Sequence, residues 1–245
     1  AYNFFSESKP SFYLSSYATY INNGIPLRVA LKVGVPAYLV SSAFVFGKKL
    51  SVDDYFHVPD TSSYFSAFEA LDRKEQRLSK AEDQLKHRFQ GGVDVATYYL
   101  KSSPYSPSDV KVPNIKGAVV IFLHDFLDSP NVFDEFIFQD FWSWICFTID
   151  TLARSGVNFW VKPHPIMSPN DPGIQLLLKH YPQLQILSNL ITNTQLVKGG
   201  MICGVTAYGT VAHELAYFGI PSICCAKHPH ISFDFCRTAR QLDEY

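Results

Sequence analysis

Apolar residues come in short blocks along the second half of the chain, and polar residues follow each block. Residues 118–123 are β-branched and aromatic without a break, which predicts a strand buried on both faces of a sheet. The same pattern predicts further strands at 158–161, 184–187, 201–203 and 221–225, with helices over 133–153, 173–180 and 206–218. Strands that alternate with helices at this spacing predict an α/β fold with a doubly wound parallel sheet of the Rossmann type. Such a fold binds its ligands outside the carboxyl ends of the strands.

The first half of the chain has a weaker pattern. Residues 11–42 predict one βαβ unit, and residues 43–62 show no period, which predicts irregular structure. Residues 65–89 predict a helix whose mixed charges favour a solvated face. The Ser- and Pro-rich segment 102–113 is typical of a linker or a domain edge.

Composition narrows the classes of partner. The chain has 245 residues and a formal net charge of −1, so no basic surface is expected to hold a nucleic acid. The aromatic run 136–149 is too short and too polar to cross a bilayer, and the first residues lack a signal-peptide pattern. We expect a cytoplasmic protein, with peripheral association at the inner face of the membrane left open.

The cysteines indicate a reducing compartment. Five are present, an odd number, and no two Cys-x-x-Cys pairs occur, so we expect reduced core thiols and no metal site. His228 and His230 have a spacing that can bind metal, but the sequence shows no carboxylate or cysteine set beside them. A role in a loop is therefore predicted for both histidines.

The first of three polar clusters follows the strand at 118–123. His124 and Asp125 are candidate catalytic residues there, because a histidine beside carboxylates can act as general acid or base. The histidine can equally donate to a phosphate while an aspartate fixes its tautomer. The alternative is that Asp128 or Ser129 caps the following helix.

The second cluster, Lys162-Pro163-His164-Pro165, follows the strand at 158–161. The prolines stiffen the backbone and fix the direction of the His164 imidazole, while Lys162 adds a positive charge. A rigid cationic pair of this kind suits a phosphate leaving group, so both residues are candidate donor-binding residues and His164 is also a candidate catalytic residue. A structural role for His164 is the alternative.

The third cluster follows the strand at 201–203 and opens the predicted helix. Thr206, Gly209 and Thr210, with Tyr208 in the same turn, are candidates to cradle a phosphate at the helix amino terminus. Glu214, further along this helix, is a candidate to accept hydrogen bonds from a ribose. The alternative is an N-cap threonine and a solvent-facing glutamate.

Several common nucleotide motifs are absent from the sequence. It contains no Gly-x-x-x-x-Gly-Lys-Ser/Thr loop, and no Gly-x-Gly-x-x-Gly follows a strand, which disfavours ATPase and dinucleotide functions. His213-Glu214 lacks the second histidine that a zinc protease helix requires.

Three segments together resemble the carboxyl-terminal domain of capsule and surface-polysaccharide glycosyltransferases of the GT-B fold. They are the Lys-Pro-His-Pro element at 162–165, the Thr-Ala-Tyr-Gly-Thr turn at 206–210 and the segment 214–221. Bacterial polysialyltransferases, β-Kdo transferases and teichoic-acid glycerophosphotransferases share these elements in outline. The resemblance covers residues 117–240. Thr206-Ala207 stands where the family carries two serines.

A weaker resemblance, to the end of an amino-terminal Rossmann domain, is carried by Tyr20, Gly24, Arg28 and Gly34. The resemblance implies residues 1–45 as a fragment of the amino-terminal, acceptor-side domain, 46–116 as a connection and 117–245 as the donor-binding domain. Most of the amino-terminal domain is then expected to lie outside this sequence.

In those families the two elements bind the nucleotide phosphates of the donor. The resemblance therefore implies phosphate contacts for His164, Thr206 and Thr210 and a ribose contact for Glu214. It further implies a metal-independent glycosyltransferase without a cofactor, whose substrates are a CMP- or other NDP-linked sugar and a glycan or lipid-linked glycan acceptor. A sugar-nucleotide epimerase, a CDP-polyol phosphotransferase and a non-catalytic polysaccharide-assembly subunit are the alternatives.

Overall fold

The computed structural model describes residues 1–41, 46–54, 57, 61, 63–94, 103–106, 108–130 and 132–245. The chain forms two compact units. The first consists of residues 1–60 with 129–134, and the second of residues 61–128 with 135–245.

The first unit contains a small three-stranded sheet. In chain order its elements are α1 (Tyr2–Ser8), β1 (Tyr13–Ser15), α2 (Ile21–Lys32), β2 (Ala37–Ser41) and β3 (Phe46–Lys49). β1 pairs parallel with β2, which confirms the predicted βαβ unit, and β2 pairs antiparallel with β3. The prediction that residues 43–62 are irregular was therefore wrong for β3. Its Gly-Lys-Lys composition does not indicate a strand, and the strand forms because it pairs with β2.

The core of the first unit lies between α2 and the sheet. Leu27 and Leu39 are fully buried there. Gly34 follows α2 with a φ of 82°, a left-handed conformation that glycine adopts without steric cost. This turn lets the chain leave the helix and enter β2.

The second unit holds the larger sheet. Its elements are α3 (Tyr64–Glu69), α4 (Lys74–Phe89), β4 (Val119–Phe122), α5 (Phe141–Arg154), β5 (Phe159–Lys162), α6 (Pro172–His180), α7 (Asn193–Lys198), β6 (Cys203–Val205), α8 (Val211–Tyr217), β7 (Ser222–Cys224), a 3-10 turn (Ile231–Phe233) and β8 (Arg237–Thr238).

The strands of this sheet have the order β5-β4-β6-β7-β8, and every neighbouring pair is parallel. The predicted α/β fold with a parallel sheet is thereby confirmed. Val120 and Leu215 are fully buried in the core on one side of the sheet. Gly204 of β6 allows close packing of α8, since a Cβ there would lie 2.3 Å from Leu215 Cδ1.

Several predicted boundaries were wrong. The helix predicted over 65–89 is interrupted, because Arg73 adopts a left-handed φ of 48° between α3 and α4. The helix predicted from residue 133 begins at Phe141, where Asp140 and Ser143 form a capping box. The strand predicted at 184–187 is reduced to one bridge between Val161 and Ile186.

The helix predicted over 206–218 is shorter than expected. It begins at Val211, and residues 206–210 form the loop between β6 and α8. Thr206 therefore does not lie at a helix amino terminus. None of the described helices is both long enough and apolar enough to cross a membrane.

Candidate anion-binding site

The three predicted polar clusters lie in loops that leave adjacent strands. β4 is paired with β5 on one side and with β6 on the other, and all three strands are parallel. Their carboxyl ends therefore lie at one edge of the sheet, which is where this architecture binds ligands. The Leu123 amide donates to the Lys162 carbonyl at 3.0 Å, so the pairing of β4 with β5 extends to the base of both loops.

The loops after β4 and β6 are in direct contact. His124 Nε2 lies 3.2 Å from Thr206 Oγ1, and the Gly209 amide donates to the same hydroxyl at 3.2 Å. A side chain at position 209 would crowd this contact, because its Cβ would lie 2.7 Å from Thr206 Oγ1. Thr206 is 2% exposed and thus fixes the turn from inside.

Aromatic rings hold the His124 imidazole in place. It is stacked on Phe141 with the ring planes 5° apart and the centroids 4.7 Å apart, and its centroid lies 4.5 Å from that of Tyr208. Burial, with a smaller effect of the His164 charge, lowers the pKa of His124 to about 3. The imidazole is therefore neutral near pH 7. An imidazole with so low a pKa is a weak base, which favours hydrogen bonding over proton abstraction.

The carboxyl end of β5 presents a buried cation. Lys162 is 5% exposed, and burial lowers the pKa of its ammonium to about 8, partly offset by the charge of Glu214. Within the described part of the chain, the ammonium makes no hydrogen bond and no ion pair. At pH 7 a largely protonated amine thus lies in a buried position without a direct counter-charge.

Hydrogen bonds stabilise the turn that contains His164. Asn189 donates to the carbonyls of Pro165 and Met167, at 3.3 and 2.8 Å, and the Ile166 amide donates weakly to His164 Nδ1 at 3.4 Å. Burial lowers the pKa of His164.

The two aspartates of the first cluster act at a distance on this site. The charges of Asp125 and Asp128 both favour the protonated form of His164, and Lys162 opposes it. Asp125 itself accepts a hydrogen bond from the Leu127 amide at 2.9 Å, a local turn contact. The geometry gives Asp125 an electrostatic effect, and its predicted catalytic role stays a prediction.

Glu214 has an environment that the sequence did not indicate. It is 5% exposed, and its two carboxylate oxygens accept hydrogen bonds from Arg88 at 3.0 Å, from Asn193 at 3.0 Å and from the Tyr105 hydroxyl. Arg88 also donates to Asp94 at 2.6 Å. Burial and the Glu214 carboxylate raise the pKa of Tyr105, so the phenol remains a donor. The solvent-facing alternative for Glu214 was wrong.

The partners of Glu214 were missed for a physical reason. Arg88 lies in a helix whose other charges are solvated, and Tyr105 lies in the segment predicted as a linker. Hydrophobic periodicity carries no signal for a charge paired across 126 positions of the chain. The ribose contact predicted for Glu214 stays a prediction, and its observed contacts connect α4, α8 and the 103–106 loop.

Thr210 occupies the outer end of the third cluster. It is the N-cap residue of α8, and its side chain makes no capping hydrogen bond. Its hydroxyl is exposed, in contrast to that of Thr206.

The arrangement has the chemistry of an anion site. A buried ammonium, two imidazoles and a hydroxyl are provided by strand ends and loops at the same sheet edge. The charge of Glu214 acts on Lys162, and the charges of Asp125 and Asp128 act on His164. Imidazole and hydroxyl donors beside a lysine suit a phosphate, which offers several acceptor oxygens and a negative charge. No protein-family model matches this chain, and no curated protein matches it.

Proposed function

We propose that this protein binds the phosphates of a nucleotide-activated sugar at the carboxyl edge of its parallel sheet and transfers the sugar to a growing surface glycan. The observation that carries this proposal is Lys162, a buried cation that makes no ion pair within the described residues. A buried charge is costly unless it is compensated, and a phosphate ligand supplies the missing anion.

The resemblance of segments 162–165 and 206–210 to surface-polysaccharide glycosyltransferases supports the choice of ligand. In sugar transfer the bond between the sugar and the phosphate breaks, and negative charge accumulates on the leaving nucleotide. A fixed ammonium beside that phosphate stabilises the developing charge more than it stabilises the substrate.

The other residues have separate roles in this proposal. His124 and Thr206 form a rigid neutral pair that can donate one hydrogen bond to a phosphate oxygen, because the other proton is used in the contact between them. His164 gains a proton when an anion binds, because the new negative charge offsets the desolvation that now lowers its pKa. Glu214 contributes indirectly by holding α8, and with it the loop after β6.

The test is calorimetric titration of the purified chain with CMP, CDP, UDP and GDP. We expect one of these nucleotides to bind, and Lys162→Met to weaken its affinity by about 10- to 100-fold, the value of a charge-assisted contact. Lys198→Met removes an exposed lysine from the end of α7 and is the matched control, for which affinity is expected to be unchanged.

Incubation with radiolabelled nucleotide sugars separates the possible reactions. Transfer of label to a glycan acceptor supports the proposal. An epimerised sugar without acceptor, or binding without turnover, contradicts the transferase function. Equal affinity of the wild-type chain and Lys162→Met for every nucleotide contradicts the assigned phosphate site.

A further inference from the structure

A second group of polar side chains lies at the other end of the strand order, around β7 and β8. Cys224 ends β7, Cys236 directly precedes β8, and His228 and His230 lie in the connection between the strands. One ligand atom from each of Cys224, His228 and Cys236 lies within 4.8 Å of the other two. The histidines do lie in a loop, as predicted, but the fold brings two cysteines close to His228 that the sequence did not place beside it.

The separations fit a tetrahedral ion. His228 Nε2 lies 3.5 Å from Cys236 Sγ. Zinc bonds of about 2.3 Å to sulfur and about 2.0 Å to nitrogen, at tetrahedral angles, place these two ligand atoms about 3.5 Å apart. The two side chains therefore need little movement to share an ion.

His230 lies beside these three residues and is the candidate for a fourth ligand. Its ring centroid is 4.0 Å from that of His228, and Cys236 interacts with Cys224, His228 and His230 alike. The set is then two thiolates and two imidazoles, the composition of many structural zinc sites. The order along the chain is Cys-x3-His-x-His-x5-Cys.

The burial of these groups calls for a partner. His228 is 0% exposed and His230 is 8% exposed, and His230 Nε2 has no hydrogen-bond partner within the described residues. Buried polar atoms are rarely left unpaired in native proteins unless an ion or a water satisfies the group. His228 Nε2 lies 2.8 Å from Thr238 Oγ1, a contact that an ion at this nitrogen would replace.

Charge balance favours a divalent ion at this site. Binding displaces one proton from each thiol, so Zn²⁺, two thiolates and two neutral imidazoles form a centre of zero net charge. Such a centre can be buried without a further counter-charge, whereas the same ion held by neutral ligands alone would not be compensated.

We propose that Cys224, His228, His230 and Cys236 form a structural zinc site that fastens β8 to the edge of the parallel sheet. β8 is only two residues long and pairs with β7 through Arg237 and Thr238. An ion bound on both sides of the β7–β8 connection holds this short strand in register, and all four ligand positions are filled by protein, which leaves none open for catalysis.

The test is metal analysis of the full chain, purified under reducing conditions with zinc present. We expect about one zinc per chain by mass spectrometry, from the single four-ligand set. Replacement by Co²⁺ is expected to give the intense visible bands of a tetrahedral site together with thiolate-to-cobalt charge transfer. Cys236→Ser is expected to weaken metal affinity by more than about 100-fold, as loss of a direct ligand exceeds the usual effect of an outer contact.

Cys203→Ser, on β6 and outside the cluster, is the matched control and is expected to retain the metal and the cobalt spectrum. Two results overturn the proposal. The first is a wild-type chain that, purified under reducing conditions with Cys224 and Cys236 as free thiols, binds neither zinc nor cobalt. The second is a metal content that Cys236→Ser leaves unchanged. Both readouts are independent of nucleotide binding, so they do not depend on the proposed function.

Discussion

Two buried cations of the second unit, Arg88 and Lys162, have opposite surroundings. Arg88 donates to Asp94 and to Glu214, and Glu214 in turn accepts from Tyr105 and Asn193. Lys162 is buried to a similar degree, yet it makes no ion pair within the described residues. A fold that compensates one buried charge so fully has the means to compensate the other.

This difference in partners distinguishes Arg88, whose charge has a structural role, from Lys162, whose charge is available to a ligand in the proposed function. Burial alone does not make this distinction, because both residues are less than one tenth exposed. The number of hydrogen-bonding and ion-pair partners makes the distinction. The contrast predicts that disrupting the Arg88 network lowers stability, whereas removing the Lys162 charge lowers ligand affinity and leaves the fold intact.

The largest expected effect is that of Glu214→Ala. The substitution leaves the Arg88 guanidinium and the Tyr105 hydroxyl buried with fewer partners, and breaking a buried ion pair in this way costs about 3–5 kcal/mol of unfolding free energy. Urea denaturation measures the change. Glu82→Ala, which removes the exposed partner of Lys86, is the control and is expected to have no measurable effect. Equal stability of both variants would contradict the structural role of Glu214.

Lys162→Met is expected to have the reverse profile. Its unfolding free energy is expected to be unchanged or raised by about 1–2 kcal/mol, because an apolar side chain of similar length replaces a buried charge that makes no ion pair within the described residues. Thermal unfolding without ligand measures this part. Stability lowered as far as in Glu214→Ala would show that Lys162 is compensated within the fold, which would remove the main argument for a phosphate at this position.

The contrast also shows what sequence patterns can predict. The strand at 118–123 was predicted from its apolar run, and the sheet edge followed from the alternation of strands and helices. The polar clusters after these strands were predicted at the right edge because chain position and strand polarity fix it. Contact between His124 and Thr206 depends in addition on the pairing of β4 with β6, which are not consecutive strands.

Partners that are distant along the chain had no such signal. Neither the pairing of Arg88 with Glu214 nor the proximity of Cys224 to Cys236 follows from periodicity, since each depends on how loops return to the sheet. The start of α8 was misplaced for a related reason. Small and hydroxyl residues at 206–210 are typical both of a helix amino terminus and of a turn, and here the Thr206 hydroxyl accepts from the Gly209 amide within a turn.

The dependence of stability on acid pH extends the comparison to a buried group without charge, the imidazole of His124. The pKa of His124 is about 3, below the value of about 6.5 expected in the unfolded chain. Between these values the unfolded chain binds a proton that the folded chain does not, so stability falls as pH falls below about 6.5. The loss attributable to His124 is at most about 1.4 kcal/mol per pH unit. Denaturation midpoints from pH 7 to pH 4 are expected to be flatter for His124→Gln, and identical slopes in the two proteins would contradict the buried neutral imidazole.

The smallest expected effects distinguish the two threonines of the third cluster. Thr206→Val removes the hydroxyl that contacts His124 and the Gly209 amide, and we expect a loss of about 1 kcal/mol of unfolding free energy. Thr210→Val removes an exposed hydroxyl without a capping hydrogen bond, so its stability is expected to change by less than about 0.5 kcal/mol.

Denaturation and nucleotide titration are measured on both variants. If Thr210 binds phosphate as its position in the cluster predicts, Thr210→Val weakens nucleotide affinity with stability unchanged, because its hydroxyl serves the ligand alone. Unchanged affinity in Thr210→Val would limit the phosphate contacts of this loop to the inner part of the turn around Thr206.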